Sequence, residues 1–152
     1  MTFSDLARAY LDKAAKRRRV LDVLMEQEAY SDVVREAQEL VELALKAMLR
    51  AAGIDPPKWH DVGPILLEQA NVFEPGIREQ LPRLAEISRW LRKEREFAFY
   101  GDIDFIPTEQ YTAADAERAI ADANEVFECV RRAVAGAAPR GIGEAADRDY
   151  AP

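Results

Sequence analysis

Apolar residues near the start of the chain recur at steps of three, four and seven residues. This spacing places their side chains on one stripe of an α-helix and predicts a first helix from about Ser4 to Gln27. The stripe is formed by Phe3, Leu6, Tyr10, Ala14, Leu21 and Leu24. The opposite face carries four consecutive basic residues at 16–19. Such a run is typical of a solvated helix surface, and an RNA-contacting patch is the alternative.

A second helix is predicted from near Ser31, which is a good N-cap residue, to Gly53, which favours a helix end. Its apolar band is unusually wide. The band consists of Val33, Val34, Ala37, Leu40, Val41, Ala44, Leu45, Met48, Leu49 and Ala52. A helix that is apolar around so much of its circumference packs against several neighbours. We therefore expect the second helix to be the axis of the core.

The polar edge of this second helix carries charges of both signs. The charged residues at helical neighbour spacing are Arg35, Glu39, Glu42 and Lys46. Residues three or four apart on a helix can pair, so this edge predicts an exposed row of ion pairs.

The middle of the chain predicts two further helices. After a linker at 55–57, Trp59, His60 and Asp61 lead into a short helix, with Pro64 tolerated in its first turn. This helix holds Ile65, Leu66, Leu67 and Ala70. A fourth helix is predicted over 75–97. Its inward stripe is Ile77, Leu81, Leu84, Ser88 and Leu91.

Arg95 occupies the next position of this fourth stripe. A buried and unpaired guanidinium would be very unfavourable, so Arg95 must have a partner or lie at an interface. The wide band on the second helix and this stripe together offer more apolar surface than one small bundle needs, which predicts a homodimer.

The C-terminal third of the chain predicts a loop, a helix and a tail. Residues 100–111 are not periodic and indicate a structured loop. Thr112 and Asp115 have the spacing of a capping box and begin a last helix. Its stripe is Ala116, Ala119, Ile120, Ala123, Val126, Phe127 and Val130. The pattern ends near Gly136, which predicts a domain over 1–135 and a flexible tail over 136–152.

Composition supports a helical domain and limits its chemistry. The chain has 152 residues, 49% of them hydrophobic, with seven glycines and eight prolines, as suits one all-α domain. Its formal charge of −7 argues against a general nucleic-acid binder but leaves room for a local basic patch. The single cysteine, Cys129, cannot form an internal disulfide, and the N-terminus lacks the apolar run of a signal peptide. Since the chain also lacks a run of roughly 18 apolar residues, we expect a cytoplasmic protein without a membrane contact.

Several common sites are not supported by the sequence. One histidine and one cysteine are too few for a structural zinc site, and neither a phosphate-binding glycine loop nor a nucleophile elbow occurs. We therefore expect no metal and no cofactor. His60, beside Trp59 at the start of a helix, is interpreted as a capping or carbonyl-binding residue, with catalysis as the alternative.

Three candidate functional residues lie at or just after the end of the fourth helix: Arg95, Tyr100 and Asp102. The region from about Phe3 to Arg132 also contains a long helix pair, the run from Glu36 to Leu49, the Gly53 helix end and the sequence His60-Asp61-Val62. This combination resembles the HEPN family of bacteria and archaea. The resemblance implies an up-and-down bundle of about five helices that usually dimerises.

HEPN members with ribonuclease activity carry an arginine followed, a few residues later, by a histidine, and one subgroup has a tyrosine two residues before that histidine. Arg95 and Tyr100 match the first two elements, whereas Asp102 stands at the histidine position. An aspartate, with a reference pKa of about 3.9, can act as a base but rarely as an acid at neutral pH, and it repels a phosphate. We therefore expect RNA cleavage to be weak or absent.

The resemblance implies an accessory or regulatory module that works with a minimal nucleotidyltransferase, often in a toxin–antitoxin-like pair. A nucleotide or an RNA would bind a cleft at the end of the fourth helix. The candidate ligand-binding residues are Arg95, Tyr100, Asp102, Lys46 and His60. One alternative is a metal-independent RNA-cleaving toxin with an altered active site, and another is a nucleotide-binding module without cleavage.

Overall fold

The computed structural model describes residues 2–58, 61–99 and 110–137, with side chains of 96–99 excepted. These residues form helices and contain no β-strand. The helices are α1 (Phe3–Glu26), α2 (Tyr30–Ala51), α3 (Val62–Glu68), α4 (Pro75–Arg78), α5 (Leu81–Phe99) and α6 (Ala113–Gly136), with a 3₁₀ turn at Ala70–Val72 between α3 and α4. The predicted all-α class is confirmed. No helix in these ranges has both the length and the apolar character that crossing a membrane requires.

The first two helices form an antiparallel pair. Helix α1 begins with a capping box, in which Thr2 and Asp5 bond each other's backbone N–H groups. Helix α2 ends in a Schellman motif: Gly53 has a φ of 79°, and the N–H of Ile54 donates to the carbonyl of Leu49 at 2.9 Å. The sequence prediction of this helix end at Gly53 is therefore confirmed.

The predicted start of α2 was wrong by two residues. Ala29, not Ser31, is the N-cap, and Ser31 lies buried in the first turn. The chain reverses from α1 into α2 within three residues, and the carbonyl of Ala29 accepts from the N–H of Val33 at 3.0 Å. The short connection therefore starts the helix before the residue with the best capping side chain.

Helix α2 is the axis of the core, as predicted. It packs against α1, α5 and α6. Most of its predicted apolar band is at most 5% exposed, including Leu40, Leu45 and Leu49. Because the single chain already covers this band, the apolar surplus that led us to predict a homodimer does not lie on α2.

The predicted fourth helix is two helices, α4 and α5, separated at Glu79 and Gln80. Pro82 explains the break, because its ring would clash with the carbonyl of Arg78 in a continuous helix and it has no N–H to donate. Beyond the break the predicted stripe is confirmed. Its buried members are Leu81, Leu84, Ser88 and Leu91.

The last helix follows its prediction closely. Thr112 and Asp115 form the expected capping box with aspartate in the third position. Cys129 is fully buried beside the apolar stripe, and burial raises the pKa of its thiol. Gly136 is the last residue of α6, one residue beyond the predicted domain end. Residues 138–152 lie outside the described residues, so the flexible tail stays a prediction.

Part of the basic run on α1 was misinterpreted as a solvated surface. Arg17 forms an ion pair with Glu36 of α2. The Arg18 Nε donates to the Asn124 side chain of α6 at 2.9 Å, and its guanidinium lies 4.5 Å from the centre of the Phe127 ring. These two arginines tie α1 to its neighbours, whereas Lys16 and Arg19 are exposed.

Candidate functional site

The polar edge of α2 and the adjacent side of α5 form one charged surface. We call it the α2–α5 face and define it by six residues: Arg35, Glu39, Glu42 and Lys46 on α2, and Arg92 and Arg95 on α5. All four α2 residues are half-buried, because α2 lies between its neighbours in the bundle. A charged side chain that is half-buried has fewer accessible conformations than one on an exposed helix surface.

Arg95 has the partner that its position on the stripe required. Its Nη2 lies 2.6 Å from Oε1 of Glu39, so the ion pair joins α5 to α2. The Arg95 side chain is 40% exposed and the Glu39 side chain 27% exposed. Guanidinium groups carry five N–H donors, so one ion pair leaves other edges of this group for a further anion.

Glu42 is held by two donors from its own helix. Nε2 of Gln38 donates to its Oε2 at 2.9 Å, and Nζ of Lys46 donates to its Oε1 at 3.0 Å. Burial acts to raise the pKa of Glu42, but the two hydrogen bonds and the charges of Lys46 and Arg92 outweigh it and lower that pKa. Glu42 therefore remains ionised and keeps Lys46 in place.

Gln38, which donates a hydrogen bond to Glu42, is itself a buried residue. It is 3% exposed, and its Oε1 has no hydrogen-bond partner among the described residues. A buried acceptor of this kind is unfavourable by about 1–3 kcal/mol.

The α2–α5 face is positive although the protein is acidic. Four of its six defining residues are cationic and two are anionic, which gives a formal charge of +2. The whole chain carries −7. The predicted row of ion pairs is thus only partly correct: Glu42 pairs with Lys46 along α2, but Glu39 pairs across to α5. The result is a local basic patch of the kind that binds phosphate groups.

The structure brings together two of the five candidate residues from the sequence. Lys46 and Arg95 both lie on the α2–α5 face, each paired with a glutamate of α2. His60, Tyr100 and Asp102 lie outside the described residues. Sequence reasoning missed Arg92, although it is one helical turn from Arg95 and this spacing was a usable signal.

Tyr111, which follows the segment that contains Tyr100 and Asp102, is held in place by its contact with Glu94. The Tyr111 hydroxyl donates to the Glu94 carboxylate at 2.8 Å, and it also lies 3.2 Å from the Glu94 carbonyl oxygen. Burial, reinforced by the bond to Glu94, raises the pKa of Tyr111. Glu94 directly precedes Arg95, so this contact joins the end of α5 to the start of α6.

Other chemistry is sparse among the described residues. In residues 2–58, 61–99 and 110–137 no three His, Cys, Asp or Glu side chains are arranged to hold a metal ion. One hollow of about 240 Å³, lined in part by Met48, Phe73, Ile77 and Arg132, includes none of the six residues of the α2–α5 face. It brings together no set of groups with evident chemistry, so the α2–α5 face remains the candidate site.

Comparison with known proteins identifies the family. The model of the HEPN domain matches residues 7–133, which is most of the chain. The chain belongs to the HEPN domain family. The match includes all six residues of the α2–α5 face, and the resemblance drawn from the sequence is confirmed.

Two individual HEPN comparisons agree with this assignment. A protein of Methanocaldococcus jannaschii named "Putative toxin MJ1304" is 25% identical over 132 residues, covering 82% of this chain and 86% of that protein. The crystal structure of ST0689, an archaeal HEPN homologue, matches with a TM-score of 0.65 at 19% identity, covering 84% of this chain and 97% of the other. The second match shows a shared fold.

Proposed function

We propose that this chain is a HEPN accessory or regulatory module that binds phosphate groups of a nucleotide or an RNA on the α2–α5 face. The observation that carries the proposal is the positive charge of this face on an acidic protein, centred on the half-exposed Arg95. Phosphate binding by arginine is strong and directional, because the guanidinium donates two parallel N–H bonds.

The proposed module acts as a homodimer together with a minimal nucleotidyltransferase in the cytoplasm. Membership of the HEPN family supports both partners, since the family resemblance implies dimers and such pairs. Among the described residues, the large apolar side chains that remain exposed include Val20, Val23, Leu67 and Val72. Co-purification of the tagged chain with a minimal nucleotidyltransferase from the same cells tests the second partnership.

We expect the purified chain to have the mass of a dimer. Light scattering coupled to size exclusion, at micromolar concentration and at both low and moderate salt, measures this mass directly. A monomer of 17.1 kDa under all these conditions would contradict the proposed dimer.

Replacing Arg95 with alanine is expected to weaken binding of a fluorescein-labelled single-stranded RNA by about tenfold. The variant removes one phosphate contact, so the slope of log K against log salt should become shallower by about 0.7. Fluorescence anisotropy at several salt concentrations measures both quantities, and unlabelled ATP as competitor tests a nucleotide at the same face.

The matched control is Arg131→Ala. Arg131 lies on α6 with a 55% exposed side chain and pairs with Glu128, so its loss changes the net charge equally but not the face. Its RNA affinity should stay within about twofold of the wild type. Equal losses of RNA affinity in both variants would show that the effect depends only on the net charge of the protein, and would contradict a site at Arg95.

A second candidate function is that of an RNA-cleaving toxin. The name of the Methanocaldococcus jannaschii relative and the presence of Arg95 favour it, whereas Asp102 at the position of the family histidine opposes it. The two candidates differ in a direct readout, which is degradation of labelled RNA by the purified protein.

A further inference from the structure

A contribution to fold stability does not explain why Glu39 is paired with Arg95. Both side chains are partly exposed, and ion pairs in such surroundings contribute little to stability. Glu39 nevertheless places a negative charge 2.6 Å from the arginine at the centre of a positive face. This charge opposes the binding of any anion that approaches Arg95.

We propose that Glu39 acts as an electrostatic brake that holds Arg95 in position and limits its affinity for phosphate. The inference rests on the proposed phosphate binding at the α2–α5 face. A phosphate that binds Arg95 must share the guanidinium with the Glu39 carboxylate and must tolerate its repulsion. Weak and readily reversed binding suits a regulatory module, since a partner can then displace the ligand.

The positions around Glu39 show why the brake acts on Arg95 in particular. Glu42, one turn along α2, accepts hydrogen bonds from Gln38 and Lys46. Glu36, on the side of α2 toward α1, forms an ion pair with Arg17. The structure thus assigns each of the three glutamates a different cation, and Glu39 is the one paired with Arg95.

Replacing Glu39 with glutamine removes the charge and keeps an oxygen that accepts from Arg95. We expect this variant to bind the labelled single-stranded RNA about five- to tenfold more tightly than the wild type. Its salt slope should be steeper, by at most about 0.7, because Arg95 then binds its phosphate without sharing its charge with the Glu39 carboxylate. A purely structural role would change thermal stability and leave the salt slope unchanged.

Three further variants make the test specific. Glu39→Asp keeps the negative charge and should give no gain in affinity. Glu36→Gln makes the same charge change on the other flank of α2, where the partner is Arg17, and should bind within about twofold of the wild type. In the double variant Glu39→Gln/Arg95→Ala the gain should disappear, because the brake acts through Arg95.

The outcomes separate this inference from the proposed function. If Arg95→Ala weakens RNA binding but Glu39→Gln leaves affinity and salt slope unchanged, phosphate binding stands and the brake is wrong. If RNA binding does not depend on Arg95 in either background, the proposed site is wrong and the brake with it. An equal gain in Glu36→Gln would show a general charge effect and would also overturn the brake.

Discussion

Asp122→Ala is expected to lower the free energy of unfolding by about 3 kcal/mol, and with it Tm by about 8 °C. Asp122 of α6 is only 7% exposed. Its carboxylate accepts from Nε1 of Trp90 at 2.9 Å and from Nη2 of Arg83 at 3.0 Å, which joins α6 to α5. Alanine leaves the partly buried indole N–H without this acceptor. Thermal and denaturant unfolding followed by circular dichroism measure the loss.

Glu125→Ala is the matched control for this substitution. Glu125 accepts from the same arginine, with Nε of Arg83 at 3.1 Å, but its side chain is 45% exposed. Exposed ion pairs contribute at most about 1 kcal/mol, so this variant should unfold nearly as the wild type does. Similar losses in both variants would show that Arg83 alone matters, and that the burial of Asp122 and its bond to Trp90 do not.

The fold was largely predictable because the strongest signals in this chain are local. The width of the α2 band indicated a central helix, and the α5 stripe indicated a buried row that includes Ser88; both are confirmed. The effect of Pro82 is also local, since a proline at this position interrupts the helix that the apolar spacing alone would continue. The two helices α4 and α5 could therefore have been separated from the sequence.

The pairing of charged residues was harder to predict, because it depends on how helices pack. Within α2, neighbour spacing suggested that Glu39 would pair along its own row. The packing of α5 instead brings Arg95 next to Glu39. In the same way Arg17 and Arg18 contact α2 and α6, and a helical period gives no information about which neighbours a surface residue meets. Such contacts require the register between helices.

The candidate site was only half predictable for this reason. Spacing along the stripe marked Arg95 as a residue that needs a partner, and the structure supplies one. The sequence could not show that Arg95 and Lys46 share a face, since one lies on α5 and the other on α2. It also could not show the net positive charge of that face, because its charges come from two helices that are far apart in the chain.

The wild-type protein is expected to cleave RNA weakly or not at all, and Asp102→His is expected to raise cleavage by about a hundredfold. The substitution removes a negative charge from the approach of the phosphate. It also supplies an imidazole with a reference pKa of about 6.5, which can both accept and donate a proton near neutral pH. The measurement is the initial rate of cleavage of a labelled single-stranded RNA by nuclease-free preparations.

Arg95 provides the control for this gain. The double variant Asp102→His/Arg95→Ala should lose the new activity, because the guanidinium that would stabilise the additional charge on the phosphate in the transition state is absent. Strong cleavage by the wild type that depends on Arg95 would instead favour the toxin, and the accessory role would then be wrong. An inactive Asp102→His variant that still binds RNA would confine the α2–α5 face to binding. In that case the arginine that the family uses in cleavage would serve here as a phosphate contact, and the Glu39 carboxylate beside it would limit affinity rather than catalysis.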